Sequence, residues 1–243
     1  MIAALERATL NALPAPRMLY DDPFVVKAFL GGTGRANAAA SLDPRPDAEL
    51  PKRVARIATH YRRLGLRPRF RSSPLDPVGL AAHLRAQGWQ DADESLVTCG
   101  PVAPVAMADA AVEFLTEPAA EWREVIGTVE YQSATRRAEK LEAVKLLAIP
   151  AAWLVLRENG EALAAMSATC DGTFCGVFDL AVRPEARRRG LAQRMLGAAA
   201  HWAEAQGATH LFAQVAAANA ASRSLQAGLG MLEQYRYTYY LEP

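Results

Sequence analysis

Three successive arginines and a glycine, Arg187-Arg188-Arg189-Gly190, are the residues of this chain best suited to hold an anion. They follow a short apolar run at 177–182 that Pro184 stops from extending. After them Leu191, Met195, Ala199 and Trp202 recur at helical spacing. Strand, basic turn and helix in that order leave several backbone N–H groups without helical partners. These sit at the positive end of a helix dipole, where a diphosphate binds well. Gly190 offers close approach to the backbone because it has no Cβ. No Walker A loop and no GxGxxG follows the strand, so those two phosphate-binding devices are excluded here. An ordinary turn with solvated arginines, Arg188 above all, would read the same in so few residues.

Other residues carry chemistry less specifically. Asp179 is a carboxylate inside an otherwise apolar strand, suited to accept a proton directly or through water, or equally to pair with a buried arginine. Asn219 precedes a short helical stretch and suits either an N-cap or an amide-binding role, since its side chain both donates and accepts. Tyr235, Tyr237 and Tyr239 alternate on the last strand, as sheet-face aromatics or as acids. Cys175 has no histidine placed beside it by the sequence, which disfavours a covalent nucleophile. His60, His83, His201 and His210 show no ligand spacing, so no metal is expected.

The run Val182-x-Pro184-x-x-Arg187-x-x-Gly190-Leu191-Ala192 resembles the acyl-CoA signature of the GNAT (Gcn5-related N-acetyltransferase) superfamily, whose Q/R-x-x-G-x-G/A core is matched by Arg187, Gly190 and Ala192. Asn219, Ser222, Leu225, Gly230 and Met231 are similar to a second GNAT signature at the expected separation. The resemblance, which covers roughly 107–243 in good order, implies acetyl-CoA as co-substrate and an amine as acceptor. By it, backbone groups of Leu180, Ala181 and Val182 line the thioester; Arg187, Arg188, Arg189, Gly190, Leu191 and Ala192 hold the diphosphate; Asn219 and Ser222 meet the pantetheine arm. Asp179 would be the base. Gln226 stands where many relatives carry the tyrosine acid; either the thiolate leaves well enough to need no acid, or Tyr237 or its neighbour Tyr235 or Tyr239 supplies one from the final strand. The implied reaction is direct acetyl transfer in a ternary complex, with an acceptor pocket near Glu130 and Tyr131. Gln226 motivates the rival reading of a non-catalytic acyl-CoA-binding or sensing module.

The elements that must position these residues recur. Val54, Ile57, Ala58 and Tyr61 mark a helix ended by Gly65; 69–72 reads as a strand, 78–87 as a helix closed by Gly88, and 95–99 as a strand. The last third repeats that order with a helix at 191–206, a strand at 210–215, a helix at 220–227 and a strand at 235–241. Between them, 112–115 is a strand, 119–129 and 133–147 are helical, and 152–157 and 162–169 form a hairpin around Asn159-Gly160. Residues 1–30 read as a mixed start broken by Pro14, Pro16 and Pro23. The glycine-rich Gly31-Gly32-Thr33-Gly34-Arg35 precedes an extended stretch at 36–42 and reads as a hairpin or bulge turn rather than a phosphate loop.

Such repetition predicts an α/β protein of two GNAT-like mixed, mainly antiparallel sheets flanked by helices, in tandem. A degenerate unit, 1–103, is followed by the acetyl-CoA-binding unit, 104–243. In the first unit Asp43-Pro44-Arg45-Pro46 replaces the basic turn, and proline has no N–H to donate. Lys plus Arg total 27 against 26 Asp plus Glu, a net charge of +1, so neither nucleic acid nor an anionic membrane is an expected partner. A homodimer is compatible with the chain. No secretory signal and no apolar run of spanning length is apparent, and three cysteines, an odd number, suggest a reducing compartment. The expected location is cytoplasmic.

Overall fold

The computed structural model describes residues 1–129 and 132–243. Its elements are α1 (Ile2–Ala12), β1 (Arg17–Asp21), β2 (Phe24–Ala28), β3 (Ala39–Ser41), α2 (Leu50–Arg63), β4 (Arg69–Ser72), α3 (Leu80–Ala86) and β5 (Gln90–Pro101). There follow β6 (Val112–Leu115), α4 (Ala120–Gly127), α5 (Ala134–Ala143), β7 (Ala151–Glu158), β8 (Glu161–Asp171), β9 (Phe174–Val182), α6 (Leu191–Ala205), β10 (His210–Ala216), α7 (Ala220–Gly228) and β11 (Leu232–Leu241).

All strands join one 11-stranded sheet, ordered β1-β2-β3-β4-β11-β5-β10-β9-β8-β7-β6. Neighbours are antiparallel except β3 with β4 and β9 with β10. The mixed, mainly antiparallel α/β architecture flanked by helices is the one expected, with the two sheets running on edge to edge as one. The order β3-α2-β4-α3-β5 recurs as β9-α6-β10-α7-β11. Yet the last strands are exchanged: β11 lies beside β4, and β5 lies between β11 and β10.

Two helices show why the sequence folds this way. In α2, Leu50, Val54, Ile57, Ala58 and Tyr61 are buried on one stripe against Phe24 of β2 and Phe70 of β4. In α6, Leu191, Met195, Ala199 and Ala203 are buried against Ala164, Met166 and Leu211 of the other half. Each fully buried large apolar side chain contributes about 1.5–3 kcal/mol, so these stripes fix both helices.

The N-terminal segment departs from the expected irregular start. Residues 2–12 are helix α1, ended before Pro14, and β1 pairs with β2. Leu5, Ala8 and Ala12 of α1 pack against Val97, Phe178, Phe212 and Tyr237, in the middle of the sheet. Glu6 and Thr9 are buried on the same helix. Glu6 is paired with Arg71 of β4 and accepts from Tyr235 of β11, and Thr9 accepts from Gln214 of β10 at 2.7 Å. Charged and polar groups on the buried face hid its amphipathic pattern.

Candidate active site

Strands β9 and β10 pair in parallel only from Phe174/His210 to Val177/Ala213, although β9 continues to Val182 and β10 to Ala216. Beyond Val177 the edge of β9 has no strand on its β10 side, and a cleft opens between them. In the same segment Phe178 and Ala181 face Ser167 and Ala165 of β8, so Asp179 and Leu180 stand opposite Met166 alone. This is a bulge, with Asp179 in the left-handed region at φ +59°. It turns the Asp179 side chain into a cavity of about 630 Å³.

That cavity gathers residues from across the chain. Asp179, Leu180, Asn219, Ser222 and Tyr237, singled out from the sequence, all line it. Ala181, Val182 and the stretch from Arg187 to Ala192 do not line it; the first two end β9, Arg187 to Gly190 form the exposed turn beyond, and Leu191 and Ala192 open α6. Asp179 is paired with Lys140 of α5, not with an arginine. Burial pulls the Lys140 ammonium below its ordinary value, against the opposing pull of Asp179. Nothing local in the sequence points to Lys140, because α5 otherwise reads as a solvated helix.

On the β10 side Asn219 Oδ1 accepts from the Ser222 N–H at 3.0 Å, which makes Asn219 the N-cap of α7. Its amide nitrogen remains for other partners. Gln226 is buried; its Oε1 accepts from Thr98 of β5 at 2.7 Å and its Nε2 donates to Ser222 at 3.2 Å. It therefore ties α7 to the sheet. Tyr237 is buried and donates to Gln214 Oε1 at 3.0 Å. Burial pushes its phenol up, but the charges of Arg35 and Arg71, together with hydrogen bonding to Ser95 and Tyr239, bring it below the usual tyrosine value. Cys175 faces Cys170, and that contact together with burial pushes its thiol well up, which suits no nucleophile.

At the end of β9 the basic turn presents its main chain. The N–H groups from Arg188 to Gln193 have no acceptor among the described residues, and the first backbone bond of α6 runs from Arg194 to Gly190 at 3.1 Å. Gly190 has φ +78°, and a Cβ there would meet nothing within 4 Å. Of the side chains, Arg189 is paired with Glu158, Arg187 reaches the Val182 carbonyl at 3.4 Å, and Arg188 is exposed. The glycine-rich stretch in the first half connects β2 to antiparallel β3. Its N–H groups at Leu30, Gly32 and Thr33 are already given to the buried Glu139 carboxylate. The region near Glu130 and Tyr131 lies outside the described residues. No group of His, Cys, Asp and Glu able to hold a metal occurs among the described residues, and no helix among them is long and apolar enough to cross a membrane.

The site is thus a splayed parallel pair with a turn of free N–H groups beyond the end of β9. Comparison with known proteins gives the family and the fold. Residues 1–240 match the family model described as "Probable histone acetyltransferase Rv0428c C-terminal", and the chain belongs to that family. A GCN5-related N-acetyltransferase from Kribbella flavida superposes with a TM-score of 0.73 at 18% identity, covering 99% of this chain and 95% of the other. A tandem GNAT protein from the clavulanic acid biosynthesis pathway gives 0.67 at 13% identity, covering 98% and 87%. A conserved protein of unknown function from Staphylococcus epidermidis gives 0.71 at 10% identity, covering 95% and 94%. The fold is thus that of the GNAT acetyltransferases in tandem form. No curated protein matches the chain.

Proposed function

We propose that the protein is an acyl-CoA-dependent N-acyltransferase that moves an acetyl group from acetyl-CoA to an amine of a small molecule or polypeptide, in a ternary complex. The observation that carries this reading is the cleft between β9 and β10, flanked by Asn219 on one arm and by the unpartnered N–H groups of Arg188 to Gln193 at its end. In this reading 104–243 binds acetyl-CoA and 1–103 is the degenerate partner. The N–H groups of Arg188, Arg189, Gly190, Leu191 and Ala192 and the Arg187 and Arg188 side chains hold the diphosphate, while Asn219 and Ser222 hold the pantetheine amides.

Acetyl-CoA supplies an activated acyl carbon and a good leaving group. The main chain of Leu180, Ala181 and Val182 steadies the developing oxyanion through an N–H; loss of one such donor costs about 3–4 kcal/mol in other enzymes. Asp179 takes the proton lost by the amine nitrogen as the N–C bond forms and the C–S bond breaks. Tyr237, its phenol made more acidic by Arg35 and Arg71, supplies a proton to the departing thiolate through water. Three cysteines without disulfides suit a cytoplasmic location.

The locked Gln226 favours one alternative, a module that binds acyl-CoA without turnover. Thiol release from acetyl-CoA across an amine panel decides between them. Turnover is expected, with acetyl-CoA affinity reduced on the order of 100-fold in Gly190→Trp, whose side chain occupies the space before the free N–H groups. Asn219→Ala should lose about tenfold in affinity and about 1 kcal/mol of stability through the missing cap. Acetyl-CoA binding unchanged by Gly190→Trp would remove the diphosphate from this turn, and binding without turnover selects the sensing module.

A further inference from the structure

If the cavity is where thioester and amine meet, its far wall bears on what else the amine carries. That wall holds Arg35 and Arg69 from the first half and Gln132, Arg136 and Lys140 from around α5. Lys140 is neutralised by Asp179. Arg35 and Arg69 are not neutralised: among the described residues neither joins an ion pair. Arg35 donates to the Gln214 amide oxygen at 3.0 Å and lies 5.6 Å from the centre of the Phe178 ring, and Arg69 lies 5.7 Å from that of Tyr239. Elsewhere, Arg53, Arg56, Arg62, Arg157 and Arg194 each pair with a carboxylate. Two half-buried guanidinium groups with only neutral partners in a shared cavity are a standing demand for an anion.

A second observation points the same way. Gln132 is 5% exposed, lines the cavity, and has no hydrogen-bond partner for either its amide nitrogen or its oxygen. A buried primary amide left open on both atoms is costly unless a ligand completes it. Asp93, exposed and without an ion pair among the described residues, is the one lining carboxylate left to meet an incoming ammonium.

We propose that the acceptor is a small amine that also carries an anionic oxyacid group, a carboxylate or a phosphate, held by Arg35 and Arg69 and by the Gln132 amide, with its amine directed to the Asp179 bulge. The proposal rests on the transferase reading. Guanidinium forks match such oxygens with two parallel charge-assisted bonds. A lysine-rich peptide would instead bring positive charge against Arg35 and Arg69. Starting from the ammonium form, which loses one proton before attack, the products are the N-acetylated acid and free CoA thiol, with that one proton released and the second N–H proton balanced by the one the thiolate takes up.

Matched acceptors test it: 4-aminobutyrate against butylamine, phosphoethanolamine against ethanolamine, and a lysine peptide, each followed by thiol release, with acetyl-CoA binding followed separately by calorimetry. At least one anionic member should exceed its neutral partner in kcat/KM by about tenfold or more, and the pair that does so tells carboxylate from phosphate. Arg35→Gln and Arg69→Gln should both lose that preference, Arg69→Gln through KM and Arg35→Gln with a change in kcat as well because Arg35 also acts on Tyr237; Arg69→Lys should restore part of it, and raised salt should weaken it. Neutral amines or the peptide used as well as the anionic members, or preference intact in both glutamine variants, overturns the inference while leaving the transferase in place. Failure of acetyl-CoA to bind overturns both.

Discussion

Asp179 was readable as the odd charge in an apolar strand, but its partner was not. The lysine that holds it lies 39 positions away, on a helix with no apolar stripe to mark which of its polar side chains turn inward. Asn219 was readable in both its roles, because N-capping is a local geometry that sequence spacing specifies. Arg35, Arg69 and Gln132 were invisible as a group, since only the folded sheet brings them together. The Asp179–Lys140 pair is half-buried, so replacing one member leaves the other charge poorly solvated. Asp179→Asn should lower kcat/KM on the order of 100-fold with acetyl-CoA affinity unchanged, as loss of a general base does. It should also remove the counter-charge that keeps the Lys140 ammonium from falling further, and so displace the pH–rate profile. A profile identical to the parent's would reduce Asp179 to a structural partner of Lys140.

Helix α1 was the element that sequence patterning passed over, because Glu6 and Thr9 occupy positions where a core-facing stripe should be apolar. Its C-terminal end is held by Lys27 of β2, which is fully buried and donates to the carbonyls of Leu10, at 3.2 Å, and Leu13. A cation at that end suits the helix dipole, yet burial, aided by the charges of Arg71 and Arg35, brings the Lys27 ammonium down to about 7. Unfolded, the same group titrates at 10.5. Between about pH 7 and 10.5 the unfolded chain holds a proton that the folded chain has released, so stability rises with pH across that window. Below it both states are protonated and the slope vanishes. The rise from Lys27 can reach about 4 kcal/mol between pH 7 and 10. Lys27→Met should abolish that part of the curve when the unfolding free energy is measured by urea titration at several pH values. A slope unchanged by the substitution would mean that Lys27 stays protonated in the fold.

At the scale of the whole molecule, the repeated order of elements was legible and the exchange of last strands was not. Local alternation says that 95–99 and 235–241 are strands, whereas the choice of neighbour is decided by the register and packing of residues over a hundred positions apart. Val97 faces Phe212 and Tyr235 in one cluster, and the last strand meets the first half through Tyr240 opposite Phe70. Each half thereby completes the other's sheet: β10 has β5 as its neighbour on one side, and β4 has β11. Neither half of the sheet can unfold without baring an internal strand edge of the other. The consequence is a single cooperative transition, despite a length at which separate domains are common. Tryptophan reports on both halves, since Trp89 is buried in the α2 core and Trp122 and Trp153 in the α4 core. Urea curves from a chain keeping only Trp89 and from one keeping only Trp122 and Trp153, the others changed to phenylalanine, should share a midpoint and the m-value expected for the full length. Midpoints that separate while each curve keeps a smaller m-value would show two independent units and set aside the mutual completion of the halves.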